Sequence, residues 1–131
     1  MNLYLLFSHN LTPEQIQDAQ ENWQVAACIF LPKQLQDLWS NVPPELTSLK
    51  DYLQPIFEWL RNAQAGDLVL IQGDYGATYL MIQYAFERGL RPIYSTTLRK
   101  VVETPLPDGS IRTERVFAHH QFRFYERIQD Y

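Results

Sequence analysis

Apolar and polar positions alternate in blocks along this chain. Leu3-Tyr4-Leu5-Leu6-Phe7 is a continuous apolar run, as expected for a strand buried on both faces of a sheet. Ser8-His9-Asn10 interrupts it, and Leu11-Thr12-Pro13-Glu14-Gln15-Ile16 opens a helix. Thr12 is placed to be the N-cap, Pro13 takes the first helical position and Gln15 closes a capping box. Leu11 and Ile16 stand at the two positions of a hydrophobic staple. That helix is expected to run to about Trp23. Residues 25–31 predict a second buried strand, and residues 32–39 a short helix that stops before Pro43-Pro44.

Leu46, Leu49, Leu53, Ile56, Phe57 and Leu60 recur at helical spacing, which predicts a helix over 46–63. Pro55 lies inside it and should kink it or mark its real start. Leu68-Val69-Leu70-Ile71 predicts a third strand. It leads through Gly73-Asp74-Tyr75-Gly76-Ala77-Thr78 into an apolar helix, with Gly89 as its C′ residue and Pro92 as a stop. Residues 93–97 predict a fourth strand. From Leu98 the pattern turns to alternation around Pro107-Asp108-Gly109-Ser110, a hairpin turn signal. Residues 117–127 extend the return strand or add another. Strands alternating with helices imply a small Rossmann-like α/β domain over 1–131. Its sheet is mostly parallel with helices on both faces, and a hairpin appendage occupies about 98–127.

The length, 131 residues, suits one domain with a core of its own. With 14% aromatic and 20% charged residues the chain is not of the disordered class. No apolar run approaches the ~20 residues of a membrane helix, and Met1-Asn2-Leu3-Tyr4 lacks the marks of a signal peptide. The single cysteine, Cys28, excludes an internal disulfide framework; together these point to the cytoplasm. Cys28 lies in an apolar run and is expected to be a buried, inert thiol.

The formal net charge of −4 argues against long nucleic acid as a partner. The charge is unevenly spread. Residues 1–90 carry four Lys/Arg and ten Asp/Glu, whereas residues 91–131 carry seven and five. A local positive field on an acidic body suits a small anionic ligand. A long exposed hairpin on a small domain also calls for a partner, so a two-fold homodimer is expected.

Ligands of open α/β sheets bind outside the carboxyl ends of the strands. That rule selects Ser8-His9-Asn10, the segment 73–78, and Thr96-Thr97-Leu98-Arg99-Lys100. Glycines between a strand and a helix allow close backbone approach, and the free amides of a helix start face an anion. The same segment also reads as a tight turn with Asp74 or Thr78 as the N-cap. It lacks the lysine of a P-loop and the third glycine of a dinucleotide fingerprint. His9 is either an acid or base near neutral pH or a loop histidine bonded to backbone. Arg99 and Lys100 are neighbours in a strand and point to opposite faces. His119 and His120 diverge for the same reason. No acidic or cysteine partner stands at ligand spacing, so no metal or other cofactor is expected. Trp23, Trp39 and Trp59 are expected in the core.

The segments 5–15, 38–44, 72–78 and 94–99 resemble those of the small stand-alone CRISPR-associated proteins of the Csx series, nearest to the group named Csx-twenty. The block Gln72-Gly73-Asp74-Tyr75-Gly76-Ala77-Thr78 carries most of the likeness. The resemblance implies a CARF-like homodimer of type III CRISPR defence that binds cyclic oligoadenylate, usually cyclic tetra-adenylate. It implies a ring nuclease that cleaves this messenger without a metal: the ribose 2′-hydroxyl attacks the adjacent phosphate and the antiviral response is switched off. On that reading Arg99 or Lys100 stabilises the phosphate, His9 is the acid or base, and Ser8, Asn10, Asp74 and Thr78 position ribose and phosphate. Phe7 and Tyr75 wall the adenines, and Gly73, Gly76, Ala77, Thr96 and Thr97 complete the binding surface. Two alternatives stand beside it: a protein that binds the ring without cutting it, as a sponge or sensor, and a general nucleotide-binding α/β protein.

Overall fold

A computed structural model describes residues 1–130. Nine principal elements follow one another: β1 (Asn2–Leu6), α1 (Pro13–Asn22), β2 (Ala27–Phe30), α2 (Lys33–Ser40), α3 (Gln54–Leu60), β3 (Leu68–Ile71), α4 (Tyr75–Glu87), β4 (Arg91–Pro105) and β5 (Ile111–Phe124). The five strands form one sheet in the order β2-β1-β3-β4-β5. The first four run parallel and β5 returns antiparallel along β4. This is a small Rossmann-like α/β fold.

The greasy strands are buried on both faces, as their unbroken apolar runs demand. Leu3, Leu5, Leu68, Leu70 and Ile93 join Leu11 and Ala19 beneath α1. Their alternates Tyr4, Leu6, Val69 and Ile71 face Trp39, Ile56, Leu60 and Met81 from α2, α3 and α4. The connection leaving β1 therefore crosses one face and the one leaving β3 crosses the other. The carboxyl ends of β1 and β3 lie side by side where the order reverses, which opens a crevice.

The start of α1 is set by local chemistry. The Thr12 hydroxyl accepts from the Gln15 amide at 3.2 Å and the Gln15 side chain accepts from the Thr12 amide at 2.9 Å. Thr12→Ala removes one half of this box and is expected to cost about 1 kcal/mol, read as a lower urea midpoint at unchanged slope. Helix α4 ends in a Schellman turn: the Leu90 amide reaches the Ala85 carbonyl, the Gly89 amide reaches Phe86, and Gly89 has φ +71°.

Three expectations are corrected. β2 is an edge strand and not a buried one; it spans only Ala27–Phe30, and Phe30 is half exposed, because the sheet ends there. Cys28 is accordingly half-buried. The helix expected over 46–63 is confined to Gln54–Leu60, with Pro55 in its first turn. Proline lacks the amide that would bond back to residue 51, so residues 46–49 are irregular and residues 50–53 form a turn, which still delivers Leu49 and Leu53 to the core. The C-terminal hairpin is present as expected, and it grows out of the sheet. β4 runs unbroken from Arg91 to Pro105, and the return strand ends at Phe124.

One irregularity shapes the base of that hairpin. Ser95 pairs with Phe122, yet Thr97 pairs with His119, so His120 and Gln121 together oppose Thr96. This bulge resets the alternation of β5. His119 and Phe122, three residues apart, consequently point to the same side, with ring centroids 4.6 Å apart. The Thr96 hydroxyl clips the bulge, donating to the Gln121 carbonyl at 2.7 Å and accepting from its amide at 3.2 Å.

Candidate functional site

The crevice is lined first by the turn after β1. Phe7 and Ser8 are half-buried, while His9 and Asn10 are exposed. The His9 ring meets Phe7 edge-on with centroids 5.4 Å apart, and the Ser8 carbonyl accepts from the Gln36 side chain at 3.3 Å. On the β2 side of this turn a small cavity of about 100 Å³ opens among Phe7, His9, Asn10, Phe30 and Gln36.

The opposite lip follows β3. The Gln72 amide bonds the Leu6 carbonyl at 3.0 Å, which holds the two strand ends together. Gly73 is needed for packing: a Cβ there would lie 2.7 Å from Trp39 Nε1, and that indole donates to the Gln72 carbonyl at 3.0 Å. Asp74 is the N-cap of α4, accepting from the Ala77 amide at 3.0 Å. Of the two capping readings, Asp74 holds. A Cβ on Gly76 would meet only ordinary contacts at 3.4 and 3.5 Å, so that glycine is not forced by packing. The amides of Tyr75 and Gly76, in the first turn, have no partner within the helix. Tyr75 is 96% exposed and stands free beside them. Ala77 is buried, and the buried Thr78 hydroxyl is without a hydrogen-bond partner.

The third predicted segment behaves differently. The Thr96 hydroxyl serves the bulge, whereas Thr97, Arg99 and Lys100 are exposed on the hairpin. Arg99 lies over the Phe117 ring at 5.5 Å, and Lys100 pairs across from Val116 on the other face. Arg99 is four residues past Ser95, so it stands about 13 Å beyond the strand ends. The fold thus brings the His9 turn and the glycine turn together, and carries the two cations away on a projecting arm.

A family model described as "Uncharacterized protein MJ1673 family" matches residues 1–123. The chain belongs to this family. A Methanocaldococcus jannaschii protein named "Uncharacterized protein MJ1673" is 50% identical over 124 residues, covering 94% of this chain and 95% of its own length. No solved structure matches the chain.

The sequence reading missed a polar cluster below the crevice of this family member. Ser95 Oγ lies 2.5 Å from His119 Nδ1, and His119 Nε2 lies 2.7 Å from Asp18 Oδ2. The Gln15 side-chain amide donates to Ser95 Oγ at 3.3 Å. Asp18 and His119 are 101 positions apart. The only signal was Gln15 and Asp18 falling one helical turn apart. The bulge that turns His119 toward α1 leaves no such mark.

Burial raises the Cys28 thiol above its usual pKa, so it carries little thiolate at neutral pH. Burial, and secondarily the neighbouring Tyr94, also raises Tyr125, whose hydroxyl donates to the Ile71 carbonyl at 2.7 Å. Among the described residues no three His, Cys, Asp or Glu gather as a metal site, and no helix is long and apolar enough to cross a membrane.

Proposed function

We propose that this protein is a cytoplasmic ring nuclease of type III CRISPR defence. It binds cyclic oligoadenylate, with cyclic tetra-adenylate the first choice, and opens the ring by metal-independent attack of a ribose 2′-hydroxyl. The observation that carries the reading is the crevice between β1 and β3. It has partnerless amides of Tyr75 and Gly76 on one lip and His9 and Asn10 on the other. Helix-start amides suit a phosphate, and an aromatic ring left as exposed as Tyr75 suits a base that stacks on it. The likeness of residues 72–78 to the Csx-twenty group supplies the identity of the ligand.

The reaction asks for little machinery because the substrate brings its own nucleophile. The protein has to hold the 2′-oxygen in line with the phosphorus and the departing 5′-oxygen. It also has to neutralise charge on the phosphoryl oxygens. His9 is an acid or base at the lip. Cation help from Arg99 or Lys100, which stand on the arm away from their own crevice, is read as coming to the crevice of a second copy.

The arm itself supports a homodimer. A two-stranded hairpin is marginal alone in water, yet this one exposes Val101 at 58%, Ile111 at 61% and Phe117 at 67%. A second copy covers such a surface and offers a ring of near two-fold symmetry a site on the dimer axis. Light scattering at micromolar concentration should give the dimer mass. Val101→Lys with Phe117→Lys, on one face of the arm, should give a folded monomer. A monomer mass for the unchanged protein counts against the shared site.

The deciding experiment incubates the protein with cyclic tri-, tetra- and hexa-adenylate, with and without EDTA, and separates products by chromatography. Linear products ending in a 2′,3′-cyclic phosphate or 3′-phosphate, unaffected by the chelator, are expected from the tetra-adenylate. Tight binding with an intact ring makes the protein a sponge. Equal affinity for linear adenylates makes it a general nucleotide binder.

A further inference from the structure

The Asp18–His119–Ser95 chain is directional. A carboxylate only accepts, so His119 Nε2 carries the hydrogen that faces Asp18 Oδ2 at 2.7 Å. When the ring is neutral, Nδ1 is left to accept, and the Ser95 hydroxyl stands 2.5 Å from it to donate. Ser95 Oγ keeps a lone pair for the Gln15 amide at 3.3 Å. A hydroxyl against an imidazole that a third group orients is the arrangement that activates oxygen nucleophiles and moves protons.

Its position gives the chain two unequal ends. His119 is sealed, with 4% of its side chain exposed, and Asp18 keeps 11%. Ser95 retains partial exposure. Its amide donates at 2.8 Å to the side chain of Gln72, the residue before Gly73, which ties Ser95 to the lip that follows β3. The far end opens on a surface groove lined by Glu14, Asp18 and Glu21 of α1 and by His119 and His120. The charged or titratable groups facing His119 from α1 are thus Glu14, Asp18 and Glu21. His120 is the one from its own strand, and β4 presents the hydroxyl of Ser95.

We propose that Ser95 is the catalytic proton carrier of the crevice, with His119 and Asp18 as positioning residues behind it. This rests on the ring-opening reading above. The 2′-hydroxyl gives its proton to Ser95 Oγ as the Ser95 proton passes to His119 Nδ1. The 2′-oxygen bonds to phosphorus, the bond from phosphorus to the 5′-oxygen breaks, and that oxygen takes a proton back from Ser95 as His119 returns one. The products are a 2′,3′-cyclic phosphate and a 5′-hydroxyl, with no net proton gained or lost. Asp18 stabilises the imidazolium that exists between the two transfers.

The test compares unchanged full-length protein with Ser95→Ala, Ser95→Thr, His119→Gln and Asp18→Asn. Each is assayed for cyclic tetra-adenylate binding by calorimetry and for single-turnover cleavage from pH 5 to 9; thermal melts report folding. Ser95→Ala should bind within a few-fold of the unchanged protein and cut slower by about 10²- to 10⁴-fold. Ser95→Thr should recover part of the rate. His119→Gln and Asp18→Asn should flatten the pH–rate profile as well as lower it. Should Ser95→Ala cut at the normal rate, the relay is overturned and ring opening stands. The relay is also overturned if His119→Gln and Asp18→Asn lower only the melting temperature and leave the pH profile in place. An unchanged protein that never cuts removes ring opening and the relay together.

Discussion

Trp39→Ala should cost about 3–5 kcal/mol of stability, the range for removing a large aromatic from a packed core. Trp39 is 1% exposed and lies in the cluster shared by α2, α3 and α4. Its loss leaves a hole between α2 and the end of β3. It also removes the indole donor from the part-buried Gln72 carbonyl, 3.0 Å away, and the lost hydrogen bond adds to the penalty. Against a total of roughly 5–15 kcal/mol, this approaches unfolding. The urea midpoint should fall at unchanged slope. Trp39→Phe should cost less, because it keeps ring volume and loses the hydrogen bond. A change under about 1 kcal/mol for the alanine variant would show that the site collapses around the gap. The effect reaches the crevice too, since the same indole dictates glycine at 73: a Cβ there would stand 2.7 Å from Nε1.

Gly73 illustrates what can be read from sequence. Its position between a strand and a helix was legible, and so was the turn it makes. The reason for the glycine was not, because the pressing neighbour is Trp39, thirty-four positions earlier. The parallel order was legible from Leu3–Leu6 and Leu68–Ile71, whose unbroken apolar runs fit burial on both faces. The capping box of Thr12 and Gln15 was legible because all its partners lie within three residues. Helix α3 failed at its start because the spacing of Leu46, Leu49 and Leu53 occurs in irregular chain and a turn as well as in a helix. β2 failed in burial because sequence does not say which strand ends the sheet.

The His119 cluster marks the deeper limit. Period-two alternation puts residues 119 and 122 on opposite faces. One extra residue in β5 places both against α1, where Trp23 packs edge-on to Phe122 at 6.3 Å and Asp18 meets His119. A bulge of this kind depends on Thr96 clipping Gln121 across the ladder, which no local pattern announces.

Arg99→Ala and Lys100→Ala, made separately, should differ widely in cleavage of cyclic tetra-adenylate. Their side chains leave opposite faces of β4. Arg99 shares a face with Phe117, Val101 and Arg115, and Thr97 across from His119 extends that face toward α1. Lys100 shares its face with Leu98, Val102 and Val116. A phosphate held on one face of the arm meets one of these cations and not both. Losing the cation that faces the phosphate should slow cleavage by about 10²- to 10³-fold, the usual loss for one charge-stabilising donor. Losing the other should change it little. Arg99 is the better placed, because its guanidinium already lies over Phe117, leaving a planar fork of donors to meet a phosphate. His9→Ala offers the internal comparison. It should leave binding intact and slow the chemistry by about 10²- to 10⁴-fold if His9 moves a proton at the lip. If Ser95 carries that proton alone, His9→Ala should cut at the normal rate. Full activity in Arg99→Ala, Lys100→Ala and His9→Ala alike would move the site away from this crevice altogether.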